Sequence, residues 1–293
     1  MERSIADTDT LDTYYVYDDY GNLCFVLPPA ASQNLPSLFQ IGKPVEDVLK
    51  QYAYQYQYDY CNRCIGKKLP GCDWVEMIYD MGNRLVFSQD GQQRKCGEWS
   101  FRLSDLSGHS VLTGIYNGIP DVQECALSNV YATFEPADAI ARYGYVIHGP
   151  ETIQLDSLKV LQANYYDTYD YKNRLSGFIS SLDYMTDENY GRLYTDKNGV
   201  PQHCKGLLTG SMVCILGDER ELYGCYYYDY NRNLIQERHT TLNGEITVFQ
   251  YSFNFSRQAV RSSEKYGSDV ELKKNILMYF CGSFAGRRAC LKE

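Results

Sequence analysis

The chain has 293 residues and a formal net charge of −9, with a pI near 5.0. An acidic surface repels phosphate backbones, and the basic residues gather into no stripe, so no nucleic acid is expected as a partner. The longest apolar runs, such as Met212–Leu216, are too short to cross a bilayer, so no membrane span is expected.

In chain order, the opening MERSIADTDTLD holds no apolar core of the secretory kind, so no signal peptide is visible. Residues 1–11 read as a loose N-terminus. From Asp12 the pattern changes. DTYYVYDDYGNLCFV alternates rings along a strand, turns at Asp-Asp-Tyr-Gly and resumes as an apolar strand. LPPAASQNLPS (Leu27 to Ser37) reads as a Pro/Ser loop. PVEDVLKQYA (Pro44 to Ala53) fits a short helix, with Pro44 in its first turn and Val45, Val48 and Leu49 on one face. Strand-and-turn units then run to about Gly114. Residues 115–163 fit that pattern poorly, and PADAIARYG (Pro136 to Gly144) reads as a helical turn or an inserted loop. The units return over 164–261 and a tail follows. No Pro/Gly linker divides the chain, so 12–293 reads as one β region, with the better-formed units at 12–114 and 164–261.

The unit is a repeat. YDDYGNL starts at Tyr17, YDYCNRC at Tyr58, YDMGNRL at Tyr79, YDYKNRL at Tyr169 and YDYNRNL at Tyr228. The shared frame is Tyr-Asp-x-x-[Gly/Asn]-[Arg/Asn]-[apolar or Cys]. SDLSGHS keeps Asp105 and Gly108, and DKNG keeps Asp196 and Gly199. YSFNFSR from Tyr251 and GSFAGRR from Gly282 look like worn copies. A ring-lined strand (Tyr52, Tyr54, Tyr56, Tyr58) leads into each turn. Asp accepts a backbone N–H two residues on, and Gly or Asn at the fifth position takes φ > 0 to close a type I turn with a bulge. The candidate turn residues are therefore Tyr17, Asp18 and Gly21; Tyr58, Asp59 and Asn62; Tyr79, Asp80 and Asn83; Asp105 and Gly108; Tyr169, Asp170 and Asn173; Asp196 and Gly199; and Tyr228 and Asp229. Judged from the turn alone, Asp80→Ala costs on the order of 1 kcal/mol.

The chain carries 29 Tyr against 11 Phe, and 11 Cys. Tyr suits half-exposed strand faces. Many of the cysteines replace an apolar residue in a strand-like run (Cys24, Cys214), which reads as free thiols acting as small hydrophobes. Cys61 and Cys64 form a Cys-x-x-Cys, yet they fall at frame positions four and seven of a hairpin turn. No second pair or nearby His completes a zinc set, so neither metal nor any other cofactor is expected. The four histidines, His109, His148, His203 and His239, form no catalytic pattern. Asp167 and Asp170 are paired carboxylates in principle suited to acid–base work, but Asp170 is a frame residue and Asp167 belongs to an overlapping Tyr-Asp. No nucleophile elbow, Walker loop, His-Glu-x-x-His or dinucleotide fingerprint occurs. The expectation is that the chain is not an enzyme.

The Tyr-Asp frame resembles the YD repeat of the RHS-repeat proteins. The longer blocks Asp12 to Ala31, Tyr52 to Gly71, Lys205 to Gly210, Asn164 to Leu175 and Tyr226 to Gly244 are similar to RHS-repeat proteins of Bacteroides-type bacteria. The resemblance implies an all-β fold of YD hairpins in one extended, curled antiparallel sheet, part of a shell, with at most one or two short helices. It implies a structural segment of a longer shell or cell-surface protein of the kind associated with polymorphic toxins. Its partners would be the remaining repeats of that chain or an enclosed cargo. Its location would be the cell surface or the secreted fraction. Exposed Tyr rows beside Asp, Asn and Arg also suit glycans, which makes a carbohydrate-binding module the alternative.

Overall fold

The computed structural model describes residues 2–6, 9–34, 45–135, 137, 143–173, 180–218, 220–267 and 270–275. The fold is all-β and antiparallel, with a few short helices. The strands, in chain order, are β1 (Glu2–Ala6), β2 (Asp9–Tyr17), β3 (Leu23–Leu27), β4 (Tyr54–Tyr58), β5 (Cys64–Lys68), β6 (Val75–Tyr79), β7 (Leu85–Gln89), β8 (Trp99–Ser104) and β9 (Ser110–Tyr116). They continue as β10 (Tyr131–Phe134), β11 (Tyr145–His148), β12 (Leu158–Tyr166), β13 (Leu208–Cys214), β14 (Glu221–Tyr228), β15 (Leu234–Thr240), β16 (Ile246–Phe253), β17 (Ala259–Tyr266) and β18 (Val270–Asn275).

The chain divides into two compact units. The first comprises residues 1–104, 113–131 and 147–159. In it, β2 to β8 run as an antiparallel meander, each strand paired with the next. Alternation in β8 buries Trp99, Phe101 and Leu103 on one face, the period-2 signature of a half-covered sheet. Ile78, Val86, Phe87 and Tyr116 complete this core, with the Phe87 and Tyr116 rings 5.3 Å apart.

The second unit comprises residues 105–112, 132–146 and 160–293. It carries the meander β12 to β18. One face of it is covered by the segment 169–194, which contains two 3-10 turns, Asp170–Asn173 and Ser180–Leu182. Polar side chains hold that cover down. Gln236, buried, accepts from Met185 N at 3.0 Å and donates to Met185 O at 2.9 Å. Arg238, also buried, donates twice to Ser181 O at 3.0 and 2.7 Å. Buried polar groups cost little only when bonded, and these are. Gly210 lets the cover sit close: a Cβ there would lie 2.2 Å from the Tyr171 hydroxyl.

Four features depart from the sequence reading. Residues 2–6, expected to be loose, pair with Asp9–Thr13 as β1 on β2. Tyr52 does not extend the ring-lined strand, because it ends the helix α1 (Val45–Tyr52), whose Val48 is buried. Helices are somewhat more numerous than one or two: residues 29–34, α1, α2 (Gly91–Cys96) and α3 (Val122–Leu127). The additions come from local capping, since Asp90 and Asp121 each accept two backbone N–H groups at a helix start. The worn copy YSFNFSR turns two residues later than its Tyr suggests, at Asn254. The worn copy GSFAGRR, most of PADAIARYG, and Pro44 lie outside the described residues.

Candidate functional site

The Tyr-Asp turns are the repeated site, and their bonds are nearly superimposable in pattern. Asp18 Oδ1 accepts Tyr20 N at 2.9 Å and Asn22 N at 2.8 Å, while Gly21 N donates to Asp18 O at 3.1 Å. Asp59 takes Cys61 N and Arg63 N, both at 2.9 Å. Asp105 takes Ser107 N and His109 N, both at 2.8 Å. Asp196 takes Asn198 N and Val200 N, and Asp229 takes Asn233 N at 2.8 Å. The fifth residue sits in the left-handed region each time, from Asn62 at φ 58° to Gly108 at φ 88°. In the Asp229 turn that residue is Arg232, at φ 65°. The bulge falls at the frame Tyr, between Val16 and Tyr17, Gln57 and Tyr58, Ile78 and Tyr79, and Tyr227 and Tyr228.

Two turns of this kind escaped the Tyr-Asp frame. Asn254 replaces Asp, accepting Gln258 N at 2.9 Å, with Arg257 at φ 58°. Thr241 starts another, closed by Gly244 N donating to Thr241 O at 3.0 Å. The five-residue spacing to Arg257 or Gly244 was the readable signal. One frame copy is not a hairpin. Tyr169, Asp170 and Asn173 enter a 3-10 turn, because Tyr171 is drawn wholly into the core and its hydroxyl donates to Thr209 O at 2.7 Å. Burying a whole Tyr with its hydroxyl satisfied outweighs one turn bond.

The acid of each turn also holds the sixth residue. Asp59 binds Arg63 Nε at 2.7 Å, and Asp80 binds Arg84 Nε at 2.8 Å and Nη2 at 2.6 Å. Asp105 Oδ2 lies 2.9 Å from His109 Nδ1. Asp80 is fully buried and additionally accepts Val130 N at 3.1 Å. Burial works against the Asp59 charge, but the Arg63 backbone and side-chain bonds win and hold its carboxyl below the usual value. The Asp18 carboxyl is likewise lowered, chiefly by the Asn22 side chain.

Side chains then clip one turn to the next. In the first unit Asn22 Nδ2 donates to Asn62 Oδ1 at 3.1 Å, and Arg63 Nη1 donates to Asp80 O at 3.0 Å and Asn83 Oδ1 at 3.1 Å. The Arg63 guanidinium lies 5.2 Å over the Tyr79 ring. In the second unit Arg232 Nη2 donates to Lys205 O at 2.7 Å. The frame Tyr adds a hook. Tyr58 donates to Leu23 O at 3.0 Å, Tyr79 to Cys64 O at 3.1 Å and Tyr228 to Leu208 O at 2.7 Å. Each acceptor is the first residue of the strand β3, β5 or β13 in the preceding hairpin. Phe fills the same space but cannot make this bond, which gives one physical reason for the Tyr excess.

No family model matches the chain, and no curated protein matches it. Among solved structures, it is similar to a chain of the Photorhabdus luminescens Tc holotoxin pore carrying a TccC3 mutation. That likeness has 14% identity and TM-score 0.44, covering 93% of this chain and 11% of that one. A TcdB2–TccC3 structure without its hypervariable C-terminal region gives 13% identity and TM-score 0.43, covering 93% of this chain and 11% of that one. A TcdB2–TccC3–Cdc42 structure gives 14% identity and TM-score 0.31, covering 90% and 14%. The chain thus spans between 11% and 14% of the length of these three.

The remaining candidates sit apart from one another. Cys61 is exposed on a turn and Cys64 starts β5; the nine described cysteines are all unpaired thiols. Among the described residues, no three His, Cys, Asp or Glu groups gather as a metal set. Burial pushes the Cys125 thiol up to about 11, helped by Asp121 and Glu124. His109 stacks on Tyr166 at 4.4 Å, and His148 on Tyr131 at 4.7 Å. His239 lies 3.3 Å from Glu237, whose other oxygen accepts Tyr251 at 3.2 Å. His203 takes φ 62° and packs with Tyr194 at 4.8 Å and Tyr230 at 5.0 Å, a partly exposed aromatic corner. Asp167 is spent on Gly206 N at 2.5 Å.

A column of tyrosine rings runs through the second unit. Tyr145, Tyr165, Tyr171, Tyr169, Tyr227 and Tyr184 follow one another at 5.8, 4.4, 6.4, 5.2 and 5.5 Å. Burial pushes the phenols of Tyr145, Tyr165, Tyr169, Tyr171 and Tyr227 well above their ordinary value. Lys172 closes one end, pairing with Asp183 and donating to the Tyr227 hydroxyl at 2.9 Å.

Proposed function

We propose that the chain is a non-enzymatic structural segment of an RHS-type, YD-repeat wall, working at the cell surface or outside the cell with further repeats or an enclosed cargo. The sequence resemblance supplies the family. The observation that carries the reading is that the frame side chains are spent on the fold. Asp59 and Asp80 hold their own turns and the sixth-position Arg, that Arg clips the next turn, and Tyr58 and Tyr79 hook the previous one. A residue so engaged has no lone pair or proton left for a substrate. The test is to express the whole chain and follow far-UV circular dichroism, size exclusion and a thermal melt. The reading expects a β-rich species that melts cooperatively. A broad, non-cooperative melt would remove the idea of interlocked repeats.

A second reading, glycan recognition, is favoured by the Tyr194–His203–Tyr230 corner, where Tyr230 is 60% exposed and can stack on a sugar face. A glycan array repeated with Tyr230→Ala separates the two. Signals lost with the substitution favour recognition, and an array blank for both proteins leaves the wall reading alone.

A further inference from the structure

The contacts between successive hairpins follow a rule, and the first hairpin makes only half of them. Tyr58 and Tyr79 each hook the carbonyl that begins the second strand of the preceding hairpin, and Arg63 clips forward to the Asp80 carbonyl. Tyr17 holds the same frame position as Tyr58 and Tyr79, but its side chain bonds nothing among the described residues and is 57% exposed. Its strand is open on both faces, with Tyr14 at 41%, Tyr15 at 38% and Val16 at 41% exposure. Strand β1 covers β2 only from Asp9 to Thr13. Four successive exposed residues of this character on a strand invite pairing with further chain.

We propose that the Tyr14–Tyr17 edge of β2 is a docking surface for one more hairpin of the same Tyr-Asp frame, supplied from outside residues 9–275. The incoming strand would add to β2 by backbone pairing, as strand addition does elsewhere. Its seventh-position carbonyl accepts the Tyr17 hydroxyl, and its sixth-position Arg or Asn donates to Asp18 O. These are the contacts already made between the Asp59 and Asp80 turns. The proposal rests on the wall reading and names the contact by which the wall continues.

The probe is a fluorescein-labelled peptide of residues 54–68 carrying Cys61→Ser and Cys64→Ser, titrated with the full chain and followed by anisotropy. This segment brings the Arg63 and position-64 groups that lock the next hairpin in the chain itself. Saturable binding is expected, weakened roughly two- to tenfold by Tyr17→Phe, the worth of one hydrogen bond. Val16→Lys, a charge on the pairing edge, should abolish it. Both positions are exposed, so the two variants should unfold in urea as the parent does. Absence of saturable binding, or equal binding by both variants, overturns the proposal while leaving the cooperative melt of the wall reading intact. Self-association of the chain that Val16→Lys removes, with no peptide binding, would place a second copy at this edge instead. A chain that fails to melt cooperatively defeats the wall reading itself.

Discussion

Removing the Asp80 side chain should hurt far more than a turn residue ordinarily does. Asp80 is fully buried and accepts Arg84 N, Arg84 Nε, Arg84 Nη2 and Val130 N. Asp59 makes the same turn and holds Arg63, but receives no N–H from a distant segment. In Asp59→Ala the turn bonds go, and the Arg63 charge regains water at its partly exposed site, for about 1–2 kcal/mol. In Asp80→Ala the buried Val130 N–H also loses its partner, adding about 1–3 kcal/mol for an unsatisfied donor. The whole comes to about 3–5 kcal/mol, well above the ~1 kcal/mol that the turn alone suggests. Trp74 and Trp99 both lie in the first unit, so tryptophan fluorescence during urea unfolding reads the right region. Equal losses for the two variants, within about 0.5 kcal/mol, would refute the role given to Val130.

Three further outcomes can be checked. Arg257, exposed at φ 58°, should be better replaced by Gly: Arg257→Gly relieves left-handed strain and should raise stability by up to about 1 kcal/mol, so a lower melting temperature would count against the turn geometry. The tyrosine column should fail in alkali. Burial, then the Glu237 charge, raises Tyr251 to about 12, and burial lifts Tyr145, Tyr165 and Tyr227 further. Stability from these neutral phenols is whole below about 10, the unfolded value, and drains as pH climbs from there towards the raised folded values. Tyrosinate absorbance should therefore rise together with loss of the β signal; gradual ionisation with circular dichroism unchanged would contradict the burial. At the acid end the lowered carboxyls of Asp18 and Asp59 act the other way. Their contribution is present above about 4 and is lost as pH falls through the lower folded values, so acid urea curves of Asp59→Asn should flatten relative to the parent.

What could be read from the residues was local. The spacing from Asp to Gly or Asn places the turn at Asp18, Asp59, Asp80, Asp105, Asp196 and Asp229, because the side chain reaches only its own next few N–H groups. Partners set by the meander were not legible. Nothing in sequence ties Asn22 to Asn62, Arg63 to Asp80 or Val130 to Asp80, since those contacts exist only once the hairpins stand side by side. The Tyr169 copy misleads because frame and core compete there, and Tyr171 goes to the core. Asn254 and Thr241 build the same turn without the Tyr-Asp letters, since any short side-chain acceptor or a bare backbone suffices. Tyr52 completes a period-2 row in sequence yet caps a helix, because four polar or apolar positions before it already follow the helical period.

The central claim is that frame tyrosines lock neighbouring hairpins through their hydroxyls. Its most direct test is urea unfolding, read by tryptophan fluorescence, of the double variant Tyr58→Phe/Tyr79→Phe beside Tyr20→Phe/Tyr60→Phe. The first pair donates to Leu23 O and Cys64 O; the second is 82% and 88% exposed. The account predicts a loss of about 2 kcal/mol for the hook pair and almost none for the exposed pair. Equal stability of the two doubles would contradict it.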